Sequence, residues 1–135
     1  MTLTEEKKQE LIKAAIEVQK KAYAPYSNYH VGAALLTKTG QIFLGVNVEN
    51  AAYPDTICAE RSAVVSAISA GERDFEAIAV ATRNGGTPCG SCRQVLAEFG
   101  LDIKVLLVDE NGNLIQHNTV RDLLPGAFQP KDLSE

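Results

Sequence analysis

Apolar and polar positions along the chain follow two different periods and switch between them abruptly. From residue 4 to residue 23, Leu11, Ala15, Val18 and Ala22 recur at helical spacing, and Ile12 and Ile16 widen the stripe. This predicts an amphipathic helix, with Thr2 and Glu5 spaced as a capping box at its start. "APYSNYH" breaks the period at Pro25. "VGAALLT" and "IFLGVNV" read as strands joined by Lys38-Thr39-Gly40-Gln41, a hairpin with glycine in its turn.

Residues 48 to 57 have no period and read as an irregular loop. A second helix is expected from about Cys58 to Ala70, closed by Gly71. "FEAIAVAT" is apolar almost throughout, as a buried strand is, and "RNGGTP" is a loop. A third helix spans about Gly90 to Phe99. "IKVLLVD" and "LIQHN" are strands around an "ENGN" turn, and "TVRDLL" is a short helix capped by Thr119 and stopped by Pro125. The order α β β α β α β β α over residues 1 to 135 predicts a single domain of the α/β class with a five-stranded sheet. Helices separate strands 2, 3 and 4, which favours parallel neighbours there. The link between strands 4 and 5 is only about five residues, too short for a parallel crossover, so these two are expected to pair antiparallel.

Composition narrows the possible partners. At 45% hydrophobic and 22% charged, the chain is an ordinary globular one, long enough to bury a core. A net charge of −4, with Lys7-Lys8 and Lys20-Lys21 on a solvated helix face, argues against nucleic acid as a partner. No apolar run approaches the roughly 18 residues of a membrane span, so no membrane partner is expected. "MTLTEEKKQE" is too acidic for a targeting segment, and the cytoplasm is the expected compartment. There, three cysteines make a poor disulfide framework, and metal binding or catalysis becomes the better question.

All three cysteines fall at predicted helix starts. Cys89 and Cys92, in "PCGSCRQVL", share one side of a first turn, and Cys58 opens "CAERSA". In an open α/β sheet such loops gather at the carboxyl ends of strands, where sites are built. A helix start also favours thiolate over thiol. Three thiolates with no fourth protein ligand make a catalytic zinc site, with a position left for water. Zinc lowers the pKa of bound water from 15.7 to about 7, and a carboxylate beside it can carry the proton. Glu60 is the candidate, two residues from Cys58. Taken alone, Cys89-x-x-Cys92 would equally suit a redox pair or half of a structural zinc knot. The first leaves Cys58 unexplained; the second needs a fourth ligand from His30 or His117, and neither neighbours a cysteine.

Cys58-Ala59-Glu60 followed by Pro88-Cys89-x-x-Cys92 resembles the signature of the zinc nucleoside and nucleobase deaminases. "YAPYSNYHVGAALL", "GVNVENAAY", "CAERSA", "PCGSCRQVL" and "LLPGAF" are similar, in order and spacing, to the small homotetrameric cytidine deaminases. The resemblance implies a three-layer α/β/α fold and one zinc ion per subunit, held by Cys58, Cys89 and Cys92. It implies hydrolysis of cytidine and 2′-deoxycytidine to uridine and 2′-deoxyuridine with release of ammonia, as in pyrimidine salvage. Glu60 would shuttle protons, and Ala59 would line the base. Asn47 and Glu49 would hold the ribose 3′-hydroxyl, since an amide and a carboxylate both accept from an alcohol and neither suits a phosphate. Tyr29 stands where the family commonly has Phe, packed on the base. Phe128 would reach a neighbouring subunit's base, and Ala51 and Tyr53 another subunit's sugar, giving a homotetramer with shared active sites. Zinc with three thiolates carries a formal charge of −1, and Arg61 is placed to draw charge off the sulfurs. Antibiotic deaminases of the blasticidin type share a similar cysteine segment and are the alternative within the superfamily. A zinc-binding module without activity is the alternative outside it.

Overall fold

The computed structural model describes residues 3–133. Its elements are α1 (Glu5–Gln19), β1 (Gly32–Thr37), β2 (Ile42–Val46), α2 (Ala59–Ser69), β3 (Phe75–Ala81), α3 (Gly90–Phe99), β4 (Lys104–Val108), β5 (Leu114–Thr119) and α4 (Val120–Leu123). Two single 3-10 turns, Tyr53–Asp55 and Pro130–Leu133, complete the elements. Thr2, expected in a capping box, lies outside the described residues. Thr4 caps α1 instead, its hydroxyl accepting from the Lys7 amide. The helix also stops at Gln19, short of the expected residue 23, because Tyr23 leaves it to bridge Val48.

The five strands form one mixed sheet in the order β2-β1-β3-β4-β5. β1 runs antiparallel to both β2 and β3, β3 and β4 are parallel, and β4 and β5 are antiparallel as expected. The expectation of parallel neighbours along strands 2 to 4 holds only for β3 and β4. β2 and β3 point the same way but β1 lies between them. The reason is burial: β1 ("GAALLT") is buried at every position and takes an interior place, whereas β2 exposes Leu44 and takes the edge.

Period-2 alternation divides the core into two layers. Ala34 and Leu36 of β1 join Ala77, Ala79, Leu106 and Val108 under Leu11, Ile12 and Ala15 of α1. Ala33, Leu35, Ile78, Val80 and Leu107 face the other way, onto Ala63 and Val64 of α2 and Leu96 of α3. The molecule is therefore three-layered, α/β/α. Truncating one of the fully buried leucines or isoleucines to alanine would cost about 2–5 kcal/mol.

One glycine sets the site. A Cβ on Gly45 would meet the Ala63 nitrogen at 2.3 Å and the Ala59 oxygen at 2.4 Å. Only glycine lets the first turns of α2 lie directly on β2. Because β2 and β3 share a direction, the chain leaves both at the same end of the sheet, and α2 and α3 begin there.

Candidate metal centre

Cys58 is the N-cap of α2, Cys89 the N-cap of α3, and Cys92 the third residue of α3. Their sulfurs all lie within 4.8 Å of one another, the one such group of three metal-ligating side chains among the described residues. The Cys58–Cys89 sulfur distance is 3.9 Å and the Cys89–Cys92 distance 3.5 Å. Cys92 is buried, Cys58 half-buried and Cys89 exposed, so the cluster opens to one side only. Neither N-cap sulfur bonds an amide of its own helix. The neighbouring Cys92 thiol holds Cys58 down to about 6, against burial and with help from Cys89 and the Arg61 charge. The same pairing with Cys58, together with burial, pushes Cys92 up.

Glu60 is 5% exposed in the first turn of α2. Burial pushes its carboxyl up to about 7, and the negative charge of Cys58 adds to this. A carboxyl poised there can both accept and donate a proton at neutral pH. Arg61 donates to the Ser91 hydroxyl, tying α2 to the first turn of α3. Among the described residues no hydrogen bond joins Arg61 to a sulfur, and its Nε is buried with no partner. Three soft donors at two helix starts, beside an orphaned guanidinium nitrogen, fit a thiolate-ligated zinc ion.

A cavity of about 300 Å³ opens over the cluster, and Cys58, Cys89, Glu60, Ala59, Asn47, Glu49 and Tyr29 all line it. Asn47 is buried at the end of β2, where its Oδ1 accepts from the Val31 amide (3.0 Å) and its Nδ2 donates to the Tyr29 carbonyl (2.8 Å). It clamps the segment that carries Tyr29 and keeps one N–H and one lone pair free. Glu49 accepts from the Tyr26 and Ser27 amides and from the Ser27 hydroxyl. That hydroxyl, aided by both amides, holds its carboxyl below the ordinary 4.5.

Ala51, Tyr53 and Phe128, expected to serve neighbouring subunits, lie outside the lining of this cavity. Tyr53 lines an adjacent cavity of about 300 Å³ with Tyr26, Ser27, Glu49 and Thr56. Ala51 is exposed, and Phe128 is 54% exposed, its carbonyl accepting from Gln94. His30 and His117 are exposed and apart from the sulfurs. Other residues hold the site without having been singled out by sequence. Arg93 donates to the Pro88 carbonyl, the Thr87 hydroxyl and the Leu123 carbonyl, at 2.7, 3.0 and 2.7 Å. It sits in the "PCGSCRQVL" run, where its place beside Cys92 was the available signal. Asn84 had none.

Residues 5–108 match the family described as the cytidine and deoxycytidylate deaminase zinc-binding region. The chain belongs to the cytidine deaminase family. A cytidine deaminase of Halalkalibacterium halodurans is 50% identical over 131 residues, 95% of this chain and 98% of that one. The crystal structure of cytidine deaminase from Burkholderia pseudomallei superposes with a TM-score of 0.84 at 49% identity, covering 88% of this chain and 97% of that one. A blasticidin-S deaminase of Bacillus cereus is 36% identical over 127 residues, 86% of this chain and 88% of that one. The three-layer sheet with β3 and β4 parallel is that of the cytidine deaminase family fold.

Proposed function

We propose that this single-domain protein deaminates cytidine and 2′-deoxycytidine hydrolytically, with one zinc ion held by Cys58, Cys89 and Cys92. The observation that carries the reading is Glu60, buried beside a three-sulfur cluster in a cavity that also contains Asn47 and Glu49. Zinc, when bound, supplies a Lewis acid that makes water nucleophilic near neutral pH. Glu60 takes one proton from the attacking water and passes it to ring N3, then takes the second from the hydroxyl now on C4 and passes it to the amine as the C4–N bond breaks. Cytidine and water thus become uridine and ammonia, with the proton count closed by one side chain. Glu49 accepts from the ribose 3′-hydroxyl and Asn47 donates to it, Ala59 lines the base, and the Tyr29 ring packs on it.

The Glu49 carboxylate, kept ionised by Ser27, repels a phosphate, so nucleosides are preferred to nucleotides. Arg61 lowers the charge on the sulfurs, its unpartnered Nε being the group available to them. Ala51, Tyr53 and Phe128 serve neighbouring subunits in a homotetramer, which accounts for an exposed Tyr53 and Phe128 on a chain this size. Pyrimidine salvage in the cytoplasm is the setting. No helix among the described residues is long and apolar enough to cross a membrane.

Ammonia release from cytidine by zinc-loaded protein tests this directly, with Glu60→Gln alongside. Turnover is expected, and is expected to fall by about 10²- to 10⁴-fold in the variant. The 36% identity to a blasticidin-S deaminase keeps one other substrate in view. A zinc-loaded protein that deaminates blasticidin S and leaves cytidine untouched would reverse the assignment.

A further inference from the structure

The loop between β3 and α3, residues 82–88, delivers Cys89 to the cluster and lines the cavity through Thr82, Gly86 and Thr87. Its two halves are held differently. Arg93 grips Thr87 and Pro88 from α3. The first half is tied within itself by the Gly86 amide donating to the Thr82 hydroxyl (3.0 Å), which donates to Asn84 Oδ1 (3.3 Å). Two contacts through Tyr29 link that half to the segment before β1, and the hydrogen-bonded one is the Tyr29 hydroxyl donating to Asn84 Oδ1 at 2.7 Å. The Arg83 guanidinium lies over the Tyr29 ring, 5.1 Å from its centroid. Gly86 makes room for the same hydroxyl, since a Cβ there would come within 2.9 Å of it.

We propose that the Tyr29 hydroxyl is a positioning group, latching the 82–88 loop and thereby Cys89 to the segment ahead of β1. The ring lines the substrate cavity; the hydroxyl acts through Asn84 on a metal ligand some sixty residues away in sequence. The chain's own spacing supports a matched set: Tyr at 29, Asn at 84 and no side chain at 86. Arg83 adds a cation–π contact that holds the ring from the loop side. Cys89 is the exposed ligand, the first that a chelator reaches, so the latch governs how readily the metal is lost. The latch itself needs only this geometry; its consequence for zinc rests on the proposed ligand set.

Tyr29→Phe removes the hydroxyl and keeps the ring. Zinc release to a coloured chelator should quicken about 2- to 10-fold, the range that one neutral hydrogen bond supplies. Asn84→Ala should quicken it similarly, and the double variant should be no faster than the quicker single, because both remove the same contact. Gly86→Ala should reproduce the effect by displacing the hydroxyl. Combined with Tyr29→Phe it should add nothing. Amide exchange of residues 82–87 in metal-free protein reads the same latch without zinc, and should rise in each variant. Additive effects of Tyr29→Phe and Asn84→Ala, or unchanged exchange in the loop, would overturn the latch. Such a result would leave the deaminase reading standing if cytidine is still turned over.

Discussion

Four helix starts in this molecule share one backbone geometry and divide into two chemistries. The N-caps Thr4, Cys58, Cys89 and Thr119 are all extended, with ψ of 161°, 154°, 166° and 165°. The two threonines do what N-caps ordinarily do. Thr4 accepts from Lys7, and Thr119 forms a capping box with Asp122. The two cysteines cap nothing, and their sulfurs turn toward each other across a 3.9 Å gap. A hydroxyl cap is worth about 1 kcal/mol to a helix. Here that stabilisation is forgone at the two helices that meet at the cavity, and kept at the two that do not line it. The difference separates helix starts that serve the fold from helix starts that serve the site.

The contrast is broken most severely by exchanging the roles. Cys58→Thr gives α2 a hydroxyl cap and removes a proposed ligand. Zinc content by elemental analysis should fall to background and cytidine turnover with it. Zinc retained at the parent level would mean that Cys58 does not hold the metal. Next in size, Glu60→Gln should lower turnover by about 10²- to 10⁴-fold, while bound zinc, measured on the same sample, stays at the parent level.

Glu60 also makes a prediction of stability in the metal-free protein. Its folded pKa of about 7 lies above its ordinary 4.5, so the folded state binds the extra proton between them. The contribution is present below pH 4.5 and is lost as pH rises through about 7. The loss amounts to at most about 3 kcal/mol. Urea denaturation at pH 5 and pH 8 in the presence of a chelator should show Glu60→Gln gaining on the parent at the higher pH. An equal difference at both would remove burial as the cause. The smallest effect sharpens the other side of the comparison. Thr119→Ala should cost about 1 kcal/mol of stability and leave zinc content and turnover as they were.

Much of this is legible in the sequence. Apolar runs and turn residues placed every strand, and Cys58, Glu60 and Cys89-x-x-Cys92 stood out as chemistry because their spacing is local. A first turn brings Cys89 and Cys92 together whatever the rest of the chain does. The cap of α1 is Thr4, two residues beyond the expected Thr2, since both offer a hydroxyl ahead of an acidic first turn. The end of that helix was misread because Tyr23 is drawn off by Val48, a partner distant in sequence.

By itself, then, the sequence determined the elements, the apolar faces they present, the antiparallel β4–β5 hairpin and the identity of the donor atoms. These depend on neighbours within a few residues, where backbone geometry dictates who meets whom. Tertiary structure alone decided that β1 separates β2 from β3, and that Gly45 lets α2 settle on the sheet. It alone decided that Glu60 is buried enough to be pushed up to about 7. It also gave work to Asn84, which has no local signature and receives the Tyr29 hydroxyl, and to Arg93, marked only by its place beside Cys92, which grips the loop before Cys89. Strand order and burial are properties of the whole packed chain, fixed by which apolar surfaces cover one another, and no window of sequence contains them.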